Sequence, residues 1–310
     1  MIHTTVPPAH SIELGRGHYD IAGAIGEKLY LYQVAQPDRL FEVHDGQLID
    51  TVFIYNPFDK SRAAEIKISF PFFYWSDLSR YRIYSGRTDH WSLTEELAHP
   101  TFYAECLSTS SGVYYRTRNI EDDIYQLTKH TNTDTIAGVG LLEKQLDGLF
   151  CTDGMLRYDE KTGQIIYIYF YRNEFICADT TLTLRSRGHT IDTTSLARIS
   201  VRNHDGKRTL SSPPHIVNRL ATTYLGKLFI NSNLIADNEE PAQFSHADVI
   251  DVYDLSTGEY GFSFYLPRLS GDRITRFTFY EDTLYALYQH TLVVYKFNPS
   301  IKGKLNSMRL

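Results

Sequence analysis

Three cysteines, three methionines and two tryptophans are all that 310 residues hold of those types. Cys106, Cys151 and Cys177 are odd in number and lack paired spacing, which excludes a disulfide scaffold and leaves them as buried free thiols. No basic block is present. Thirty-one basic residues against 37 acidic give a net charge of −6, so the basic stripe that nucleic-acid binding needs is missing. The longest strongly apolar run, Ile165 to Tyr171, is of strand length. A membrane span takes about 20 such residues, so none is expected here. Met1 to Leu14 lacks the basic and apolar regions of a signal peptide. Taken alone, that predicts a cytoplasmic chain or one whose leader has been trimmed. Chemical motifs are also absent. There is no His-Glu-x-x-His, Cys-x-x-Cys, phosphate loop, nucleophile elbow or EF-hand loop, and Gly15-x-Gly17 runs on to Asp20 where a dinucleotide loop needs glycine. Twelve histidines stand singly, whereas a zinc site needs three or four converging ligands. No cofactor is expected.

Aromatic residues are plentiful, at 14% with 23 Tyr and 17 Phe. They recur in short strands that begin at Lys28, Phe72, Gly112, Gln164, Lys227 and Thr283. A four-stranded propeller blade takes about 40–50 residues, close to this spacing. The sequence therefore predicts an all-β fold, a six-bladed β-propeller with four antiparallel strands per blade. The final blade offers only three strands, Ile274–Tyr280, Thr283–Tyr288 and Leu292–Phe297. Its fourth is expected from the N-terminus, near Ser11 to Leu14, since an open edge invites aggregation. One domain over 1–310 follows, with 1–17 as the closing segment and 298–310 as a polar tail. Two stretches exceed what a blade needs. Ser186 to Pro214 is expected to carry an extra strand at Ala197–Val201, followed by an Asp205-Gly206 turn. Asn231 to Asp248 is a polar insert in blade five.

In a propeller, the starts of inner strands and the loops after second strands share one rim. Here that rim holds His18, Arg116, Arg118, Asn119, Arg172, Asn173, His215, Asn218, Asn231 and Asn233. Arginine's planar fork suits a carboxylate, so Arg116, Arg118 and Arg172 are candidates to hold an anionic group. The insert's Asp237, Glu239, Glu240 and Asp248 are the internal acids that could pair with them instead. Glu105, Asp153 and Asn218 are the candidate ligands of a divalent cation in the channel. Glu121-Asp122-Asp123 reads as a solvated turn.

Leu149 to Leu156, Tyr169 to Asp179, Arg187-Gly188-His189-Thr190-Ile191-Asp192-Thr193, Pro213-Pro214-x-x-Val217-Asn218 and Val249 to Leu255 together resemble an uncharacterised family of propeller-like proteins from Bacteroidota. The resemblance spans mainly Asp147 to Leu266. It implies an extracytoplasmic, periplasmic domain with a membrane anchor, which this sequence lacks, and redox-linked partners. It brings no catalytic residues.

The function expected is non-enzymatic: a monomeric binding or scaffold propeller that takes a protein or a small anionic ligand on its polar rim. The alternatives are a metal-dependent hydrolase or lactonase and a quinoprotein-like redox subunit. Fold alone does not choose between them.

Overall fold

Blade four shows why the aromatic runs lack polar alternation. Its second strand, Gln164–Tyr169, is buried from Ile165 onward. Ile165, Tyr167 and Tyr169 pack toward blade three, against Tyr114 and Leu127. Ile166 and Ile168 pack toward blade five, against Ala221, Leu228 and Ile230. Period-two geometry thus divides one apolar run between two interblade cores.

This arrangement repeats around a ring. The computed structural model describes residues 4–58, 64–98, 100, 103–119, 121, 123–205, 207–235, 239–297 and 299–308. Asp122, Gly206, Asp237 and Asn298, named above, lie outside the described residues. Blade one comprises Tyr19–Ile25, Lys28–Gln33, Gln36–His44 and Gln47–Phe53. Blade two comprises Ala64–Ser69, Phe72–Asp77, Arg82–Arg87 and Ser92–Ala98. Blade three comprises Glu105–Thr109, Gly112–Asn119, Ile124–His130 and Thr135–Gly138. Blade four comprises Gly154–Asp159, Gln164–Tyr169, Glu174–Ala178 and Leu184–His189. Blade five comprises Asn218–Tyr224, Lys227–Ser232, Ala247–Asp254 and Tyr260–Pro267. Blade six comprises Arg276–Tyr280, Thr283–Leu287 and Thr291–Lys296, with His10–Glu13 as its fourth strand. His10 lies opposite Val294, and Glu13 opposite Thr291. Inner strands neighbour one another in blade order, and that of blade six lies beside that of blade one. The fold is a six-bladed β-propeller.

Several boundaries differ from the sequence reading, each for a local reason. In blade two the third strand starts at Arg82, because the Asp77 carboxylate takes the Ser79 and Arg80 amides at 2.9 and 3.0 Å and makes a turn there. In blade four the inner strand starts at Gly154. A 3-10 turn, Phe150–Thr152, intervenes, with the Asp147 carboxylate accepting from the Phe150 and Cys151 amides at 3.1 and 3.0 Å. The extra strand begins at Val201 rather than Ala197. Val201–His204 pairs with Lys207–Leu210 as a separate hairpin, while Ala197 is buried beside Cys151 and Tyr171.

The insert of blade five carries a short helix, α1, Pro241–His246. The tail is a helix as well, α2, Pro299–Ser307, and not an unstructured polar end. Ile301 is buried in the core shared by blades five and six, with Leu305 and Met308 against it. Blade five also gains a fifth strand: Thr4–Thr5 runs parallel to Tyr260–Pro267. All three cysteines are buried and free.

Candidate functional site

All inner strands run in one direction, so second-to-third loops and connections into inner strands emerge on one side of the ring, termed here the upper face. Two connections dominate it. Residues 190–217 form a strap that leaves blade four and returns as blade five, carrying the hairpin. Residues 233–246 lead to α1.

Arg172, the sharpest candidate, is wholly buried. Its Nε lies 2.9 Å from Glu174 Oε2, its Nη1 donates to the Glu143 carbonyl at 3.1 Å, and its guanidinium sits 3.6 Å from the centre of the Tyr169 ring. Arg187 joins the same Glu174 at 2.8 Å. Asn173 Nδ2 donates to the Asp192 carbonyl at 2.6 Å, and its amide donates to the Thr194 carbonyl at 2.8 Å. Asn218 Nδ2 bridges the Tyr169 and Arg172 carbonyls at 2.9 and 3.1 Å. Arg172, Asn173 and Asn218 therefore meet, and together they fasten the strap to blade four.

The other arginines also hold internal acids. Arg116 is buried, pairs with Asp153 and lies 4.3 Å from the Tyr125 ring centre. Burial pushes the Asp153 carboxyl up, against the pull of Arg116. Half-exposed Arg118 pairs with Asp123, as does Arg208 of the hairpin. Arg208 Nη1 also donates to the Asp147 carbonyl at 2.8 Å. Asn119 Oδ1 accepts the Glu121 amide at 3.0 Å and shapes a turn. His18 accepts from the Val34 amide through its carbonyl at 2.8 Å, and the His215 amide donates to the Arg198 carbonyl at 3.2 Å. The arginines do not form a shared cationic cluster; each is matched by an acid.

The cation-ligand candidates are likewise tied to neighbours. Glu105 accepts from the Leu156 amide at 3.2 Å and from Arg157 at 3.4 Å, while burial pushes its carboxyl up. Asp153 holds Arg116, and Asn218 holds backbone carbonyls. Among the described residues no three His, Cys, Asp or Glu side chains converge as metal ligands.

A different cluster lies between blades five and six. Asp248 is fully buried at the end of the insert. Its Oδ1 accepts from Arg273 Nε at 2.7 Å and Arg219 Nη2 at 3.3 Å, and its Oδ2 accepts the Ile274 amide at 2.9 Å. Arg273 Nη1 also donates to Asn233 Oδ1 at 2.7 Å. Fully buried Asn231 donates to the Val249 carbonyl at 2.9 Å. Arg268 Nη2 reaches only the Phe244 carbonyl, at 3.4 Å. Burial and the nearby charges of Arg273 and Arg268 push Arg219 down to about 10, against the pull of Asp248. Sequence reasoning missed these arginines. The available signal was Asn218-Arg219 at an inner-strand start and the pair Arg268 and Arg273 flanking Gly271 in an upper-face connection.

The fold and this face define the class of a six-bladed propeller with an elaborated upper rim. No family model matches the chain, and no curated protein matches it in sequence. Among solved structures it is similar to a member of the DUF4221 family from Bacteroides vulgatus, at 9% identity and TM-score 0.59, covering 96% of this chain and 98% of that one. It is also similar to virginiamycin B lyase from Staphylococcus aureus, at 9% identity and TM-score 0.53, covering 93% and 98%. Raptor from Chaetomium thermophilum matches at 11% identity and TM-score 0.53, over 96% of this chain but 30% of that one. The Bacteroides structure fits the resemblance to a Bacteroidota propeller family. At these identities the likeness shows the fold alone. No helix among the described residues is long and apolar enough to cross a membrane.

Proposed function

We propose that this protein is a non-enzymatic binding propeller that takes a protein partner on its upper face. The observation that carries the reading is the strap. Its base is fixed by Asn173 and by Gln145, whose side chain accepts the Ala197 amide at 2.8 Å and donates to the Ser195 carbonyl at 2.9 Å. Above that base it presents Leu196 at 68% exposure near Leu146 at 57%, with exposed Arg198 and Arg202 on the same segment. A rigid base beneath exposed leucines and arginines is the anatomy of a recognition surface, since exposed apolar groups rimmed by charge mark interaction sites. The residues that would do chemistry in a hydrolase, Glu105 and Asp153, are each paired with an arginine, and this supports binding over turnover.

The test is a double variant, Leu146→Asp with Leu196→Asp, compared with the wild type as bait. A partner retained by the wild type and lost by the variant, at unchanged melting temperature, supports the strap as the binding surface. Equal retention by both refutes it.

A further inference from the structure

Arg219, at the start of an inner strand, and Arg273, in the connection between blades five and six, converge on one carboxylate, and the charge of Arg268 from that same connection acts on Arg219. Among the described residues Asp248 is the only acidic partner of Arg219 and Arg273, and Arg268 has none, so the three arginines carry an excess of two positive charges. Both oxygens of Asp248 are already engaged. The Nε atoms of Arg219 and Arg268 are buried and have no hydrogen-bond acceptor. Among the described residues no aromatic ring lies over either guanidinium, in contrast to Arg116 and Arg172. Yet the groups are not sealed off. The Arg219 side chain is 21% exposed and that of Arg273 is 30% exposed. Like charges at short range and unmatched buried donors both oppose folding. An anion arriving from solvent answers both at once. The planar forks of Arg219 and Arg268 favour a carboxylate, whose two oxygens accept paired N–H groups.

We infer that the Arg219–Arg268–Arg273 cluster is a binding site for a carboxylate group. The source is either a free dicarboxylic acid or an acidic side chain of a partner. The inference rests on the upper face being the face that binds. It does not depend on the strap, because the two sites lie on different blades.

The experiment is titration calorimetry at low ionic strength, where surface charge is least screened. Succinate and a tetraglutamate peptide are the two probes. Wild-type protein is expected to bind at least one of them at a single site in the millimolar range or tighter. Arg268→Gln is expected to weaken that binding about tenfold or more, and Arg268→Lys, which keeps the charge without the fork, by less. Binding of succinate identifies a free acid as sufficient; binding of the peptide alone identifies a partner's side chains. If neither probe binds, or if Arg268→Gln binds as the wild type does, the site is refuted. Near-ultraviolet circular dichroism verifies that each variant is folded, and Arg219→Gln stands in if Arg268→Gln is not. Leu146→Asp with Leu196→Asp should leave this binding unchanged. Failure of the strap reading and failure of this one therefore give different results.

Discussion

Arg172 is wholly buried and matched by an acid, whereas Arg268 is only half-buried and has no acid partner among the described residues. Both lie on the upper face, one blade apart. Arg172 has a carboxylate, a carbonyl and an aromatic face. Arg268 has one long bond to a carbonyl, and its charge acts on Arg219. Burial therefore does not separate a structural arginine from a candidate binding one on this face. The local balance of charge does. Around Glu174 two arginines share an acid, but Arg187 is also held by Glu143 at 3.0 Å. Around Asp248 two arginines share one acid, and Arg268 adds a third charge with no acid of its own among the described residues.

The comparison breaks first at Arg172. Arg172→Ala takes one of two guanidiniums from buried Glu174, which keeps Arg187, and empties a fully buried site; truncating a large buried side chain costs about 2–5 kcal/mol. Urea unfolding should show that loss. Stability equal to the wild type would mean the pair contributes nothing and the contrast is empty.

Asp251 extends the contrast to acids. It is buried in blade five, accepts from Ser263 Oγ, and burial pushes its carboxyl up to about 7. The folded chain thus keeps a proton that the unfolded chain releases near pH 4. Its contribution is complete below that value and is lost as pH rises through about 7, with a ceiling of about 4 kcal/mol. Asp251→Asn should flatten this part of the stability profile between pH 4 and 7. An unchanged slope counts against the assignment.

Asn218→Ala removes the amide that ties the end of Gln164–Tyr169 to the Arg172 turn. Two buried carbonyls lose a donor, and a drop of about 1–3 kcal/mol is expected in the same unfolding measurement. No change would show that the turn holds without it. Arg268→Gln should move stability least, within about 0.5 kcal/mol, because it removes a charge from an over-charged group rather than from a matched pair. A loss comparable with that of Arg172→Ala would place Arg268 among the structural arginines.

The blades were legible in the sequence because each second strand is sandwiched and reads as an apolar, aromatic run. The outer parts were less so. The fourth strand of blade four starts only at Leu184, since Leu182 takes a positive φ and belongs to the turn. Helix α2 was missed although Pro299 opens it and Ile301, Leu305 and Met308 fall at helical spacing. The rim residues were correctly typed as polar positions near turns. Their roles depended on partners far along the chain. Arg116 finds Asp153, Arg118 shares Asp123 with Arg208, and Arg219 finds Asp248. Counting charge around a point requires the fold. For that reason the arginines that are over-supplied were passed over, and the ones that are matched were favoured.

One feature of the chain's start has a consequence in time. His10–Glu13 pairs with Thr291–Lys296, and Thr4–Thr5 with the outer strand of blade five. At about 5–20 residues per second of synthesis, some 280 residues separate the emergence of the first partner from that of the second by roughly 15–60 seconds. During that interval the nascent chain carries a strand with no mate, while the blades between are already able to stack. The pairing of His10–Glu13 must wait until Thr291–Lys296 has been made. A ribosome that stalls before codon 291 leaves an arc whose two ends are unpaired strands.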